Sequence, residues 1–190
     1  LNKLKEVSIP CVSSFETVLT LLDKVKFSKI GYENSYLTPR LYELEEIKKG
    51  EVVNYPIIAK PISKYGKNLC ETSDHITKYL KSNRLFKIHN RAELDQLLSG
   101  KFRDYSEEYF FQEYISGSSN DMFTIGVFAD EYYEVTGLFS GRKVRGYPAK
   151  YGDCIVGENH PCSIELQNLV KRIVKELKIH GISEFEFKFN

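Results

Sequence analysis

The sequence of 190 residues predicts an α+β fold, and three stretches carry that prediction. Between Tyr109 and Tyr147, apolar runs alternate with polar breaks and one short loop of hairpin length, which is typical of antiparallel strands. From Leu166 to Leu177, apolar side chains recur at helical spacing and make one continuous face. The segment Glu184–Phe189 alternates charged residues with phenylalanine, as a half-buried strand does.

Composition and charge exclude several classes of protein. A formal net charge of +1 argues against a dedicated nucleic-acid or membrane-surface protein. The sequence contains no apolar run of membrane-spanning length and no signal peptide. Its four cysteines lack CxxC spacing, which favours free thiols in a reducing, cytoplasmic compartment over a metal site. Because the chain lacks an initiator Met and stops on strand-like residues, we interpret it as a fragment with sequence missing at both ends.

The N-terminal part of the chain predicts two helices. Ser13 or Ser14 can cap the first, which is expected to end near Asp23. A second helix is predicted over Pro39–Lys49, with proline in its first turn and Gly50 at its C-terminal cap.

A β-loop-β-α unit follows. Tyr55–Ala59 is predicted to be a buried strand that ends in Lys60. Burial of a lysine there costs free energy unless it is paired or binds an anion, and the alternative is that it emerges into solvent. Residues 62–84 predict a flexible loop over a site. Leu85–Ile88 is the returning strand, and Asn90–Leu98 predicts a capped helix.

The hairpin strands are predicted at 123–128 and 132–139, and a basic segment follows them. It contains Arg142, Lys143 and Arg145. Three cations in four residues at the end of a strand favour an anion site, with a solvated strand end as the alternative.

The C-terminal part predicts a loop, a helix and a strand. The loop is expected over Pro148–Cys162, and the helix is expected to begin near Ser163 and to end at Gly181. One face of the last strand carries Phe185, Phe187 and Phe189, and the other carries Glu184, Glu186 and Lys188. The phenylalanine face is expected to be buried, and the charged face to look onto water or onto a cavity that uses carboxylates.

The order of these features resembles the ATP-grasp superfamily, and most of all the carbamoyl-phosphate-synthase-like carboxylate–amine ligases. The resemblance rests on the strand ending in Lys60-Pro61, the segment Gln112–Gly117, the hairpin with its basic end, and Phe185-Glu186-Phe187. It implies two α+β subdomains that clamp a nucleotide. Residues 50–112 would be the small lid, residues 113–190 the larger, truncated sheet subdomain, and residues 1–49 a connector from a missing N-terminal domain.

The resemblance also implies roles for individual residues. The nucleotide would be bound by Lys24, Lys60, Lys64, Lys87, the hinge residues Glu113, Tyr114 and Ile115, and Asp121 at the ribose. The transferring phosphate would be contacted by Arg142, Lys143 and Arg145, and Mg²⁺ by Glu186. Cations and magnesium suit this chemistry because negative charge spreads over the phosphoryl group during its transfer.

The implied function is ATP-dependent ligation. A carboxylate is activated as an acyl phosphate and is then attacked by an amine, so the expected partners are ATP, Mg²⁺ and two small molecules. The phosphate loop contains only one glycine, Gly66, and the expected Glu-x-Asn metal pair would fall beyond Asn190. We therefore expect that this chain does not turn over by itself.

Two other interpretations stay open. The chain could be a non-catalytic nucleotide-binding or assembly module of degenerate ATP-grasp type, which the glycine-poor phosphate loop favours. It could also be an α+β interaction domain, with the tyrosine-rich stretches Tyr105–Tyr114 and Tyr132-Tyr133 as its interface.

Overall fold

The computed structural model describes residues 10–50, 53–62, 74–147 and 153–189. They form two compact units. The middle unit comprises Thr20–Tyr114, and the terminal unit combines the residues up to Leu19 with those from Ile115 onwards. The predicted segment boundaries at residues 49/50 and 112/113 stay predictions.

The helices and strands follow one another in mixed order. The helices are α1 (Phe15–Leu22), α2 (Lys24–Glu33), α3 (Leu44–Lys49), α4 (Asp74–Ser82), α5 (Arg91–Ser99) and α6 (Ile164–Glu176). The strands are β1 (Leu41–Tyr42), β2 (Ile57–Pro61), β3 (Phe86–Ile88), β4 (Tyr109–Glu113), β5 (Met122–Ala129), β6 (Val135–Tyr147), β7 (Asp153–Asn159) and β8 (Gly181–Lys188). Short 3-10 segments cover Lys101–Glu108 and Ser119–Asp121. None of the helices in these described ranges is long and apolar enough to cross a membrane.

The middle unit is built on an antiparallel sheet in the order β1-β4-β2-β3. One face of this sheet is packed into an apolar core. The core includes Ile57, Ala59, Ile88 and Phe111 from the strands, and Ile47, Leu80, Leu94, Phe102 and Tyr105 from the helices and the 3-10 segment. Each large apolar side chain buried in this way contributes about 1.5–3 kcal/mol. The core thus holds β2 and β4 as a rigid base for the polar residues at their ends.

The terminal unit is built on a second antiparallel sheet, in the order β7-β6-β5-β8. Ile125 and Val127 on β5 are buried, as are Val170 and Val174 on α6, which contacts β5. Because side chains alternate along a strand, the residues between Ile125 and Val127 belong to the opposite face. That opposite face carries Glu186, the register partner of Thr124.

The segment before α1 is joined to the start of β8. Val12 forms a β-bridge with Gly181, and Ser13 Oγ both accepts a hydrogen bond from His180 N (2.9 Å) and donates one to His180 O (3.2 Å). A Cβ atom on Gly181 would lie 2.0 Å from Cys11 O, and φ at this glycine is +86°. Glycine is therefore required where the two segments meet.

Several predicted elements are confirmed. Ser14 Oγ accepts a hydrogen bond from Thr17 N (3.1 Å) at the start of α1, and Asn90 Oδ1 accepts one from Glu93 N (3.0 Å) at the start of α5. Ser163 caps α6 in the same way, accepting from Leu166 N at 3.3 Å. The β5–β6 hairpin and the last strand are also present.

The first helix ends at Leu22, next to Asp23 as expected. The helix that follows at once, α2, was not predicted; Asp23 caps it, since its Oδ1 accepts hydrogen bonds from Val25 N and Lys26 N. Another prediction about the elements is wrong. The predicted helix Pro39–Lys49 is shortened to α3 because β1 occupies Leu41–Tyr42, although Gly50 is its left-handed C-cap as expected.

Two predicted loops contain regular structure. The segment 62–84 includes α4, and Pro148–Cys162 includes β7, which pairs with β6. The phenylalanine face of the last strand is also less buried than expected: Phe185 and Phe187 are only half-buried, and Phe189, which follows the end of β8, is 46% exposed.

Candidate functional site

Two of the predicted lysines lie close to the end of β2. Lys60 is in β2, opposite Phe110 of β4, and is half-buried. Lys24 is the first residue of α2, and its Nζ donates a hydrogen bond to the carbonyl oxygen of Pro61, the residue after Lys60, at 3.5 Å. The middle unit therefore brings two ammonium-bearing side chains to one strand end, although α2 was not predicted.

Lys87 is positioned by an aromatic ring. Its Nζ lies 3.7 Å from the centroid of the Tyr114 ring, within the range of a cation–π interaction. Lys87 pairs with Ile58 in the β2–β3 register, one strand away from Lys60. The contact keeps a charged group over the residue that was predicted to form the adenine hinge. Lys64, the remaining predicted lysine, lies outside the described residues.

The hinge residues are held by main-chain hydrogen bonds. Glu113 N donates to Arg40 O at 2.8 Å, and Tyr114 N donates to Pro56 O at 3.3 Å. The Glu113 carboxylate also accepts a hydrogen bond from Arg40 N, at 3.3 Å. Because the first two hinge N–H groups are used inside the middle unit, adenine recognition at this hinge would use the Ile115 N–H and carbonyl oxygens.

A cleft of about 370 Å³ lies in the middle unit, beside Lys24 and Lys60 in the chain and in the sheet register. It is lined by residues from the start of α2, from β1 and from β4, among them Val25, Leu41 and Phe110. None of the predicted site residues that the structure describes lines it, but its lining includes both chain neighbours of Lys24 and the register partner of Lys60.

Asp121 closes the loop that follows the hinge. Its Oδ2 accepts hydrogen bonds from Ser118 N (2.5 Å) and Ser118 Oγ (2.9 Å), and its carbonyl oxygen accepts one from Phe189 N (3.0 Å). The bonds from Ser118 lower the pKa of the Asp121 carboxyl, with smaller contributions from the charges of Lys188 and Arg142. A Cβ atom on Gly117 would lie 2.8 Å from Phe189 O, so the loop also needs this glycine.

The three cations of β6 have different surroundings. Arg142 forms an ion pair with Glu158 of β7, in which Nε donates to Oε1 at 3.0 Å. Lys143 is the next residue and therefore belongs to the opposite face of the sheet, where it is only 9% exposed. A bulge follows Lys143 and pairs Arg145 with Val156, so strand alternation does not carry over from Lys143 to Arg145.

Glu186 shares its sheet face with Lys143. Glu186 pairs with Thr124, whereas Arg142 pairs with Phe123, the preceding residue of β5. Within the described ranges, no group of three or more His, Cys, Asp or Glu side chains could hold a metal ion. One exposed carboxylate still fits Mg²⁺, because this ion is commonly bound through one or two carboxylates together with phosphate oxygens.

Sequence reasoning missed the partners that fix these side chains. Glu158 was placed in a loop, because the exposed residues 154–159 show no alternation of apolar and polar side chains that would mark a strand. Asp23 before Val25-Lys26 is an N-cap signal that would have placed Lys24 at a helix start. Nothing in the sequence marks Arg40 as the neighbour of the hinge.

No family model matches this sequence, and no curated protein matches it. Solved structures do match. A D-alanine–D-alanine ligase from Bacillus anthracis is 20% identical over 100% of this chain and 60% of its own, with a TM-score of 0.59. The ATP-grasp ligase PsnB, complexed with a minimal precursor, is 15% identical over 100% of this chain and 54% of its own, with a TM-score of 0.62.

A third similar structure is the biotin carboxylase domain of the Hydrogenobacter thermophilus 2-oxoglutarate carboxylase, in complex with MgADP, ADP and bicarbonate. It is 14% identical and covers 98% of this chain and 41% of its own, with a TM-score of 0.66. The chain thus spans 60% or less of the length of these three proteins. The agreement in fold confirms the expectation drawn from the motifs: the chain has the ATP-grasp fold.

Proposed function

We propose that this chain is the ATP-binding core of a ligase that activates a carboxylate and joins it to an amine. The observation that carries the proposal is that Lys24 Nζ contacts the carbonyl oxygen of Pro61, the residue after Lys60 in β2, in a chain with the ATP-grasp fold. Two ammonium groups at one strand end suit a polyphosphate, because charge-assisted hydrogen bonds to phosphate oxygens are stronger than neutral ones. The MgADP complex of the similar biotin carboxylase domain supports the same ligand class.

In the proposed reaction, an oxygen of the carboxylate substrate takes the terminal phosphoryl group of ATP, and ADP leaves. The amine nitrogen then bonds to the acyl carbon while the carbon–oxygen bond to phosphate breaks, which releases inorganic phosphate and a proton.

In this proposal, Lys24 and Lys60 would bind the phosphates of ATP. The hinge Glu113–Ile115 would bind the adenine, and Asp121 would bind the ribose through Oδ1. Lys143 would stabilise charge on the transferring group, because burial strengthens its electrostatic interactions.

Arg142 and Arg145 are proposed as further cations for the phosphate. Arg142 would have to exchange its Glu158 partner for the phosphate and to reach it from the sheet face opposite Lys143 and Glu186, whereas Arg145 is exposed. Mg²⁺, when bound at Glu186, would neutralise charge on the phosphate oxygens. The subclass that the motifs resemble, the carbamoyl-phosphate-synthase-like ligases, remains part of this proposal.

Calorimetry of ATP binding with and without Mg²⁺ tests the proposal. Lys60→Ala should weaken binding about 10- to 100-fold, the value of a charge-assisted hydrogen bond of about 1.5–3 kcal/mol. Lys26→Ala is the matched control, since Lys26 lies on α2 close to Lys24 and is exposed. No ATP binding by the wild-type chain, or equal binding by Lys60→Ala, would contradict the proposal.

A non-catalytic nucleotide-binding module is the second candidate. The predicted phosphate loop favours it, because this loop contains only one glycine, Gly66. The two candidates differ in turnover of a longer protein that contains this chain: ATP cleavage that depends on both a carboxylate and an amine supports the ligase, and ATP binding without cleavage supports the module. For the isolated chain we expect binding without turnover.

A further inference from the structure

The sheet face opposite α6 in the terminal unit carries several exposed apolar side chains, and we call it the open face. It consists of three cross-strand rows, each with one residue from β8, β5 and β6. The rows are Glu186–Thr124–Gly141, Glu184–Gly126–Phe139 and Ile182–Phe128–Gly137. A row of polar residues with Glu186 is thus followed by two rows that contain aromatic and aliphatic side chains.

These apolar side chains are unusually exposed for a sheet. Phe139 is 57% exposed, Ile182 84% and Phe128 39%, and all three lie in adjacent rows. The solvent face of an antiparallel sheet normally carries polar residues, and the sequence predicted such a face here. A contiguous exposed apolar surface is typical of a binding site.

Gly126 lies at the centre of this surface, in an inner strand. Apart from its chain neighbours, no residue that the structure describes has an atom within 4 Å of a Cβ atom built on it, so packing against these residues does not explain the absence of a side chain. Its φ is also outside the left-handed region that favours glycine. Glycine inside a strand is destabilising relative to alanine, and it often marks a place where a ligand approaches the backbone closely.

The negative charge of Glu184 beside this surface favours a cationic ligand. Glu184 is the register partner of Gly126, is exposed, and forms no ion pair within 4.0 Å in the part of the chain that the structure describes. Its row is two residues from that of Glu186, a distance of about 7 Å along the strand. A small molecule could therefore reach both rows.

We propose that the Glu184–Gly126–Phe139 row binds the acceptor substrate, a primary amine that carries a flat apolar group. The carboxylate of Glu184 attracts the ammonium group, Phe139 and Ile182 contact the apolar group, and the bare backbone of Gly126 lets that group lie against the sheet. This inference rests on the proposed ligase function, which supplies the reason for an amine one row away from Glu186, the proposed Mg²⁺ ligand.

The test is an NMR titration of the whole chain with 2-phenylethylammonium, without ATP. We expect shifts of the backbone amide signals of Gly126, Phe139 and Glu184, and weaker effects from the neutral 2-phenylethanol and the anionic 3-phenylpropionate. Glu184→Gln should weaken binding of the amine about tenfold, as expected for loss of a charged partner. Glu131→Gln, an exposed carboxylate in the β5–β6 turn, is the matched control.

The variant Gly126→Val tests whether amine binding can be lost because the surface is blocked, without unfolding of the protein. The valine side chain has open space to occupy and suits a strand, so the variant should fold and lose amine binding. Equal binding of all three probes, unchanged binding by both variants, or shifts confined to other surfaces would overturn the inference. Calorimetry of ATP binding to the same samples is independent, so a failure of the ligase proposal is distinguishable from a failure of the acceptor site.

Discussion

The two sheets of this protein use cations in different ways. In the middle unit, Lys24 contacts a main-chain carbonyl and Lys87 an aromatic ring. In the terminal unit, Arg142 is neutralised by Glu158. Binding of an anion to Arg142 would therefore require exchange of its ion-pair partner, whereas the contacts of Lys24 with Pro61 and of Lys87 with Tyr114 involve no carboxylate.

The sheets also differ in whether the apolar side chains on their second face are buried. The middle unit buries Ile58 and Phe110 on the face opposite its main core, so both faces of β2 and β4 are covered at these positions. The terminal unit covers one face with α6 and leaves Phe139 and Ile182 exposed on the other. A buried second face contributes to stability, whereas an exposed apolar face is available for binding.

The largest effect is expected from a cavity in the middle unit. Phe111→Ala removes a ring that is 1% exposed and should lower the free energy of unfolding by about 3–5 kcal/mol. Urea unfolding measures this change, and Phe189→Ala, at a residue that is 46% exposed, is the control. We expect the two units to unfold separately, so that NMR signals of the terminal unit persist when those of the middle unit are lost. Simultaneous loss of both sets of signals would contradict this expectation.

A smaller effect is expected at the Lys87–Tyr114 contact. A double-mutant cycle with Lys87→Met and Tyr114→Leu should give a coupling of about 0.5–2 kcal/mol, because the ammonium lies over the ring face. Thermal or urea unfolding of the four proteins measures it. Additive effects of the two changes would show that the ring does not hold the lysine.

The Arg142–Glu158 pair should contribute less. Its side chains are 37% and 47% exposed, so solvent screening limits the coupling to about 0.2–1 kcal/mol. Glu158→Gln should lower stability slightly at low salt and not at high salt, and should strengthen ATP binding if Arg142 then contacts phosphate. Glu134→Gln, which breaks the ion pair with Lys175, is the control that should leave ATP binding unchanged.

The smallest effect is the pH dependence that Asp121 adds. Its pKa is lower in the folded state, so the ionised carboxylate stabilises the fold above its unfolded pKa of about 3.9. That stabilisation is lost as pH falls through the lower, folded pKa. The difference in thermal midpoint between wild type and Asp121→Asn should therefore be present near neutral pH and vanish at acidic pH, once the carboxyl is protonated in the folded state as well. A constant difference would show that the carboxylate charge is not the cause.

The sequence alone determined the elements with strong local signals. Asn90, Ser163 and Gly50 mark helix ends because capping depends on neighbours three or four residues away. The period-two pattern of Glu184–Phe189 located β8, and the order of motifs gave the ATP-grasp fold. The sequence did not reveal β1 because its two residues are too few to show a period. It did not reveal β7 because this exposed edge strand has no buried face that would give an apolar pattern.

The tertiary structure decided which candidate residues share a surface. Lys143 and Glu186 belong to one face and Arg142 to the other because strand register and a bulge fix sidedness, and a shift of one residue reverses it. The approach of Lys24 to Pro61, the lysine over Tyr114 and the open surface around Gly126 likewise join residues far apart in sequence. Such pairings depend on how strands align, which the local preferences of a chain do not specify.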